Sequence, residues 1–329
     1  MNEVQIRLLL QALPGNPTLV ETHISWVLMS DDRVYKIRKP MRYAFLDFST
    51  MAQRRVDCEK ELLLNRRTSP EIYLGVVPIR QWEGGIGLGE GPGQVIDHAV
   101  EMVRMPAERQ MNLLVKENKV GEEDMRHLAR YLASFHDRAT VIDTPVSVHG
   151  LWLDVADILK IELVTEEVLG KEAALALRDH VRLAREQLHT LRQRIQERHQ
   201  AGWTRDVHGD LHTRNIFLLP EPVLFDCLEF NDHLRQIDLL NEIAFLGMDL
   251  GSMGRADLWE VFLAAYQEGL PVMEDEMDRK LLGFYMGYLA NVRFKVAMLR
   301  VMQSPDQADI RGLQHSFSYA MRLMGDLGR

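Results

Sequence analysis

Three oxygen-bearing side chains stand close together late in the chain: Asp210 within His208-Gly209-Asp210-Leu211-His212, then Asn215, then Asp226 within Phe225-Asp226-Cys227. Phosphoryl transfer needs a carboxylate that orients an acceptor hydroxyl and takes its proton. It also needs hard oxygen ligands that hold Mg²⁺ on nucleotide phosphates. Asp210, Asn215 and Asp226 supply both kinds of group. Asp210 and Asn215 can share one loop, and a hairpin of about ten residues can bring Asp226 back beside it. Taken singly, Asp and Asn are ordinary turn formers; the set at these intervals carries the information. Two other readings use the same residues. His208, Asp210 and His212 form H-x-D-x-H, a pattern of metal-hydrolase ligands, but no second His-rich or Cys-rich motif completes it. A nucleotide-sensing module without catalysis is the other, against which the retention of a full chemical set argues.

The elements that must position these residues follow from pattern. PTLVE, SWVLMS and RVYKIR read as three antiparallel strands, the last two joined by a turn at Asp31-Asp32. Ser49 or Thr50 caps a helix through MAQRRVDCEKELLLNRR, which stops before Pro70. YLGVVPIRQW and QVIDHAVEMVRM are two further strands, with the glycine-rich GGIGLGEGPG between them as a flexible hairpin tip. The loop RKPMRYAFLDFS, with Arg42, Tyr43, Phe45 and Phe48, either covers a cleft or packs on its own lobe. The expectation is thus a five-stranded sheet with one helix over residues 1–105.

After Pro106 the pattern turns helical. EEDMRHLARYLASFHDR and the long KEAALALRDHVRLAREQLHTLRQRIQERH are amphipathic packing elements. IFLL and VLF flank Pro220-Glu221-Pro222 as a short hairpin, and from Asp238 to Leu327 the chain is helical again, with breaks near Gly251, Gly269 and Pro305. The fold class is α+β: a small antiparallel sheet lobe (1–105) and a larger, mainly helical lobe (106–329), with a hinge at about 101–106.

At 329 residues the chain exceeds the size at which one core keeps growing, so two lobes are expected. Two cysteines in a chain of this length fit a reducing, cytoplasmic setting. No stretch approaches the apolar length of a membrane span. A formal net charge of -9 opposes nucleic-acid binding and suits a cationic small molecule, as well as plain solubility.

The segment His208-Gly209-Asp210-Leu211-His212 with Asn215 and Asp226 resembles the catalytic loop and metal-binding segment of the aminoglycoside phosphotransferase and choline kinase superfamily. The resemblance implies a protein-kinase-like fold, with Asp210 as the catalytic base, Asn215 and Asp226 as Mg²⁺ ligands, and ATP or GTP as donor to a hydroxyl of a small molecule. It implies that His208 supports the loop backbone and that Asp238, in QIDLLNEIAFL, braces the loop. In the small lobe a strand lysine holds the phosphates and pairs with a helix glutamate. Lys36 and Glu61 fill these places, with Lys39 and Glu59 as competitors. EMVRMP corresponds to the hinge, where Glu101 and Val103 would meet the nucleotide. THIS stands where protein kinases have a glycine-rich loop, so amides near His23 and the Ser25 hydroxyl are its expected substitutes. Glu229, Asp232 and Glu242 are candidate contacts for a cationic acceptor. More closely, ETHISWV, FLDFST, LNRR and YLGVVPI resemble the kinase-like half of bacterial proteins fused to a P-loop ATPase, and no G-x-x-x-x-G-K-[ST] string occurs here.

Overall fold

The computed structural model describes residues 1–43, 46–303 and 309–327. Phe45 and the expected break at Pro305 lie outside them. The chain packs as two compact units, one made of Met1–Leu114 with Arg214–Arg235, the other of Val115–Thr213 with Gln236–Arg329.

The first unit is built on a six-stranded, fully antiparallel sheet: β1 (Thr18–Glu21), β2 (Ser25–Met29), β3 (Arg33–Arg38), β4 (Tyr73–Trp82), β5 (Gly85–Leu88) and β6 (Gln94–Val103), in the order β1-β2-β3-β6-β4-β5. The sixth strand, β5, lies inside the run expected to be a flexible tip. Its pairing with β4 lets the Trp82 indole lie across Gly85, where a Cβ would come within 2.5 Å of the ring. The tight turn at Glu83-Gly84, with Gly84 at φ 85°, joins β4 to β5, and the stretch after β5, with Gly89, Gly91 and Gly93 at positive φ, forms the loop to β6.

Helix α1 (Glu3–Ala12) was not evident in the sequence. Its Ile6 and Leu9 pack on Trp26, Leu28, Ile37, Ile79 and Ile86 on one face of the sheet. Helix α2 (Met51–Asn65) covers the other face, where Cys58 meets Tyr73, Val100 and Met102. Thr50 caps α2 as expected, its side chain accepting from the Gln53 amide. Because strand side chains alternate, β3 buries Ile37 toward α1 and sends Lys36 and Arg38 to the α2 side. Between β3 and α2, Phe48 is buried and lies beneath the Arg38 guanidinium, while Arg42 stands 3.5 Å from Asp47. The hairpin Ile216–Phe217 and Val223–Leu224 completes this unit, with Gln110 bridging to Phe217.

The second unit is helical. The two long helices read from sequence run over Glu122–Arg138 and Lys171–Gln200. Shorter helices over Val148–Ala156 and Glu162–Leu169, not expected, lie between them in the chain. Leu239–Ser252 is buried on every side through Leu250, as suits a central helix. Ala256–Gly269, Glu276–Gln303 and Ile310–Leu327 follow. Thr204–Asp206 pairs antiparallel with Gln236–Asp238 at the foot of the central helix. No described helix is long and apolar enough to cross a membrane.

Candidate active site

The division between units falls between Thr213 and Arg214, so Asp210 belongs to the second unit and Asn215 and Asp226 to the first.

In the first unit Lys36 Nζ lies 2.9 Å from Glu61 Oε1 and 2.6 Å from Asp226 Oδ1. Burial opposes the charge on Lys36, yet Asp226 and Glu61 together hold its ammonium well above the usual lysine range. The competitors are engaged elsewhere: Lys39 donates to Glu21 and to the Thr22 carbonyl, and Glu59 pairs with Arg55 at the surface. The Asp226 side chain is 47% exposed. Phe225 N–H donates to the Asn215 carbonyl at 3.1 Å, so the hairpin sets residues 215 and 226 near one another. A carboxylate and an amide oxygen are hard donors of the kind Mg²⁺ takes, and the residues present therefore fit that ion.

Beneath Lys36 lies a buried ionic cluster that pattern reading did not find. Arg38, fully buried, donates to Asp57, Glu61, Glu229 and the Ser25 hydroxyl. Its carboxylate partners outweigh the burial that disfavours its charge, and the guanidinium is held well above its ordinary value. Burial pushes the Glu229 carboxyl up to about 7, against the pull of Arg38. The signal was present in α2, where Arg54, Asp57, Cys58, Glu61 and Asn65 recur at helical spacing on the inner face, but a search for apolar stripes passes over charged ones.

Several expectations need correction. Ser25 is interior: its hydroxyl accepts from Arg38 and its amide donates to Thr22 Oγ1, so of this turn only the backbone at His23 and Ile24 is left for a phosphate. Val103 spends its amide on the Ile72 carbonyl at 2.9 Å. The Glu101 carboxylate accepts from Tyr35 and approaches Arg33. Glu229 is committed to Arg38, and Asp232 to Lys60 and Arg235, which removes both from the set of unengaged acceptor contacts.

In the second unit the segment 208–213 is held from the central helix. Glu242, buried, accepts from the amides of His208 and Gly209 at 3.0 Å each, and Asp249 accepts from the Thr213 amide at 3.0 Å. The brace is therefore Glu242 with Asp249, and Glu242 is not an acceptor contact. Asp238 instead caps the central helix at Leu240 and forms a two-point pair with Arg198 at 2.8 Å. A cap position that is also an ion-pair position cannot reach the loop amides, which lie one helical turn further along. His208 Nδ1 accepts from the Asp210 amide at 3.3 Å, a bond within the loop. Asp210 Oδ2 lies 3.5 Å from His212 Nε2. Among the described residues no three His, Cys, Asp or Glu side chains gather as a metal-binding group, and His208 has its ring nitrogen turned to the loop. At the end of the helix over Glu122–Arg138, the buried His136 bonds to the Tyr266 hydroxyl at 2.7 Å.

No protein-family profile matches the chain. Uncharacterised proteins of Mycobacterium tuberculosis and Mycobacterium bovis are 33% identical over 322 residues, covering 90% of this chain; the chain spans 57% of the length of these curated relatives. Among solved structures, a choline/ethanolamine kinase family protein from Mesorhizobium loti superposes with a TM-score of 0.56 at 14% identity, covering 98% of this chain and 94% of that one. The GDP complex of aminoglycoside 2'-phosphotransferase-IIIa gives 0.53 at 14%, covering 98% and 99%. Choline kinase from Cryptosporidium parvum gives 0.54 at 11%, covering 99% and 96%.

Proposed function

We propose that this chain, which has the fold of the aminoglycoside phosphotransferase and choline kinase superfamily, transfers the γ-phosphoryl group of ATP or GTP to a hydroxyl of a small molecule. The observation that carries this reading is the Lys36–Glu61 ion pair with Asp226 on the same ammonium. A strand lysine oriented by a helix glutamate, beside an exposed carboxylate, is an arrangement for nucleotide phosphates and their metal. The neighbour solved with GDP supports keeping guanine nucleotides among the donors.

Lys36 would carry the phosphate charge, and Glu61 would keep its ammonium from collapsing onto Asp226 alone. Asp226 and Asn215 would hold Mg²⁺, which when bound neutralises charge on the phosphates. Asp210 would orient the acceptor hydroxyl and take its proton at a carboxylate oxygen, while Glu242 keeps its loop in place through two amides. The acidic net charge favours a cationic acceptor. Two buried free thiols suit a reducing, cytoplasmic setting.

The test is phosphate transfer from ATP and GTP across a panel of hydroxyl compounds, with Asp210→Asn as the control against a contaminating kinase. Transfer that depends on Asp210 supports the reading. Mg²⁺ and nucleotide together should also stabilise the fold more than either alone, and a ligand present at a hundred times its dissociation constant should add about 2.7 kcal/mol over the unliganded chain. Equal thermal shifts with and without Mg²⁺ would count against Asn215 and Asp226 as ligands.

A further inference from the structure

Asp226 adopts φ 62°, a left-handed backbone conformation that aspartate takes only at a cost and keeps only where its surroundings impose it. Three buried side chains, from three elements of the first unit, grip the backbone and side chains of this segment. Tyr73, at the start of β4, accepts the Asp226 N–H on its hydroxyl at 3.0 Å. Asn65, at the end of α2, accepts the Cys227 N–H on Oδ1 at 2.9 Å. Arg38, at the end of β3, donates to Glu229 Oε1.

Two of the three also hold Glu61. The Asn65 amide group donates to the Glu61 carbonyl at 2.9 Å, and Arg38 donates to Glu61 Oε2 at 2.7 Å, opposite the oxygen that meets Lys36. The glutamate that orients Lys36 and the aspartate that shares its ammonium are thus fastened to the same side chains. We infer that Tyr73, Asn65 and Arg38 are positioning residues, a latch that fixes the Asp226 carboxylate beside Lys36 and so sets how tightly the site takes Mg²⁺ with a nucleotide.

The physical reason lies in the backbone. If the Asp226 N–H loses its acceptor, the peptide is free to rotate toward ordinary negative φ, and rotation about that bond swings the carboxylate away from its place. Tyr73 and Asn65 make no contact with the reacting groups in this scheme, and they act through the orientation of the peptide that carries the ligand. Partners of this kind, one step removed from a metal, govern affinity for it. A purely structural role would instead be felt in stability alone.

This inference rests on the phosphotransferase reading, and the experiment separates the two. AMP-PNP binding to the full chain is measured by calorimetry over a Mg²⁺ titration and again in a chelator, for wild type, Tyr73→Phe and Asn65→Ser. Tyr73→Phe keeps the ring packed on Cys58, Val100 and Met102 and removes only the acceptor, so it should fold. Asn65→Ser provides an independent second variant. For both, the Mg²⁺ concentration giving half-maximal AMP-PNP binding should rise by about 10- to 100-fold, with the affinity in chelator little changed. Variants that melt at lower temperature but need no more Mg²⁺ than wild type overturn the latch and leave the phosphotransferase reading standing. A wild type whose AMP-PNP binding does not respond to Mg²⁺ overturns both.

Discussion

The Lys36 ammonium lies between the Glu61 and Asp226 carboxylates, so without it incoming phosphates would meet uncompensated carboxylate charge. Lys36→Ala should therefore weaken nucleotide binding by about 1.5–3 kcal/mol. Lys39→Ala, which breaks a pair with an exposed Glu21, should change it by no more than about 0.5 kcal/mol. Titration calorimetry with a nucleotide analogue checks both, and the reverse order would mean that β3 presents the wrong lysine to the phosphates. The two aspartates should separate by kinetics. Asp210→Asn keeps shape and loses the proton acceptor, so turnover should fall by about 10²- to 10⁴-fold with nucleotide affinity nearly intact. Asp226→Ala should lower both. An Asp210→Asn protein of near-normal turnover would remove that residue from the base role. Asp210, Asn215 and Asp226 stand out in the sequence because their chemistry is rare at such spacing, and the pairing of Lys36 with Glu61 was readable from the order of strands and helix. Glu242, Asp249 and Arg38 were not, because a single charged residue in a helix or strand looks like surface until its partners are known.

The strands and helices that carry the site followed from alternation and capping, and the exceptions have physical causes. Strand β5 was read as a loop because glycine weakens strand propensity. Here the glycines leave room for the Trp82 ring, a packing demand that local sequence does not announce. Helix α1 is short, its capping box of Asn2 with Gln5 is its main local signal, and its place is fixed by burying Ile6 and Leu9 on the sheet. Ser25 was placed on phosphate because its turn replaces a glycine-rich loop, but the strand that follows buries the hydroxyl. Helix α2 offers a test of whether site and stability can be uncoupled. Thr50→Ala removes the cap on its first turn and should cost about 1 kcal/mol, seen as a fall in the midpoint of chemical denaturation. Glu61 lies well inside the helix, held by Lys36 and Arg38, so nucleotide affinity measured below the transition should stay as in wild type. A parallel loss of affinity would show that the first turn transmits to the ion pair.

On the scale of the whole chain, stability should depend on pH through a residue outside the proposed site. His180 is buried beside Asn291 in the second unit, and burial lowers its pKa from 6.5 to about 4. The unfolded chain takes up a proton near pH 6.5 and the folded one only near pH 4, so this contribution is fully present above 6.5 and is lost as pH falls toward 4. The loss should reach roughly 3 kcal/mol. Denaturation of His180→Phe and wild type at about pH 7 and about pH 4.5 checks it: the variant should show the smaller acid penalty. The two-unit organisation has a further consequence for how the chain is made. The first unit takes its last piece, Arg214–Arg235, from beyond the whole stretch Val115–Thr213. During synthesis, at about 5–20 residues per second, the sheet and α2 would wait roughly 5–20 s for the hairpin that brings Asp226 and Glu229. Over that interval Arg38 has Asp57 and Glu61 for company but not Glu229. The nascent chain would therefore present a chaperone with an incomplete first unit, which only the late arrival of residues 214–235 would complete.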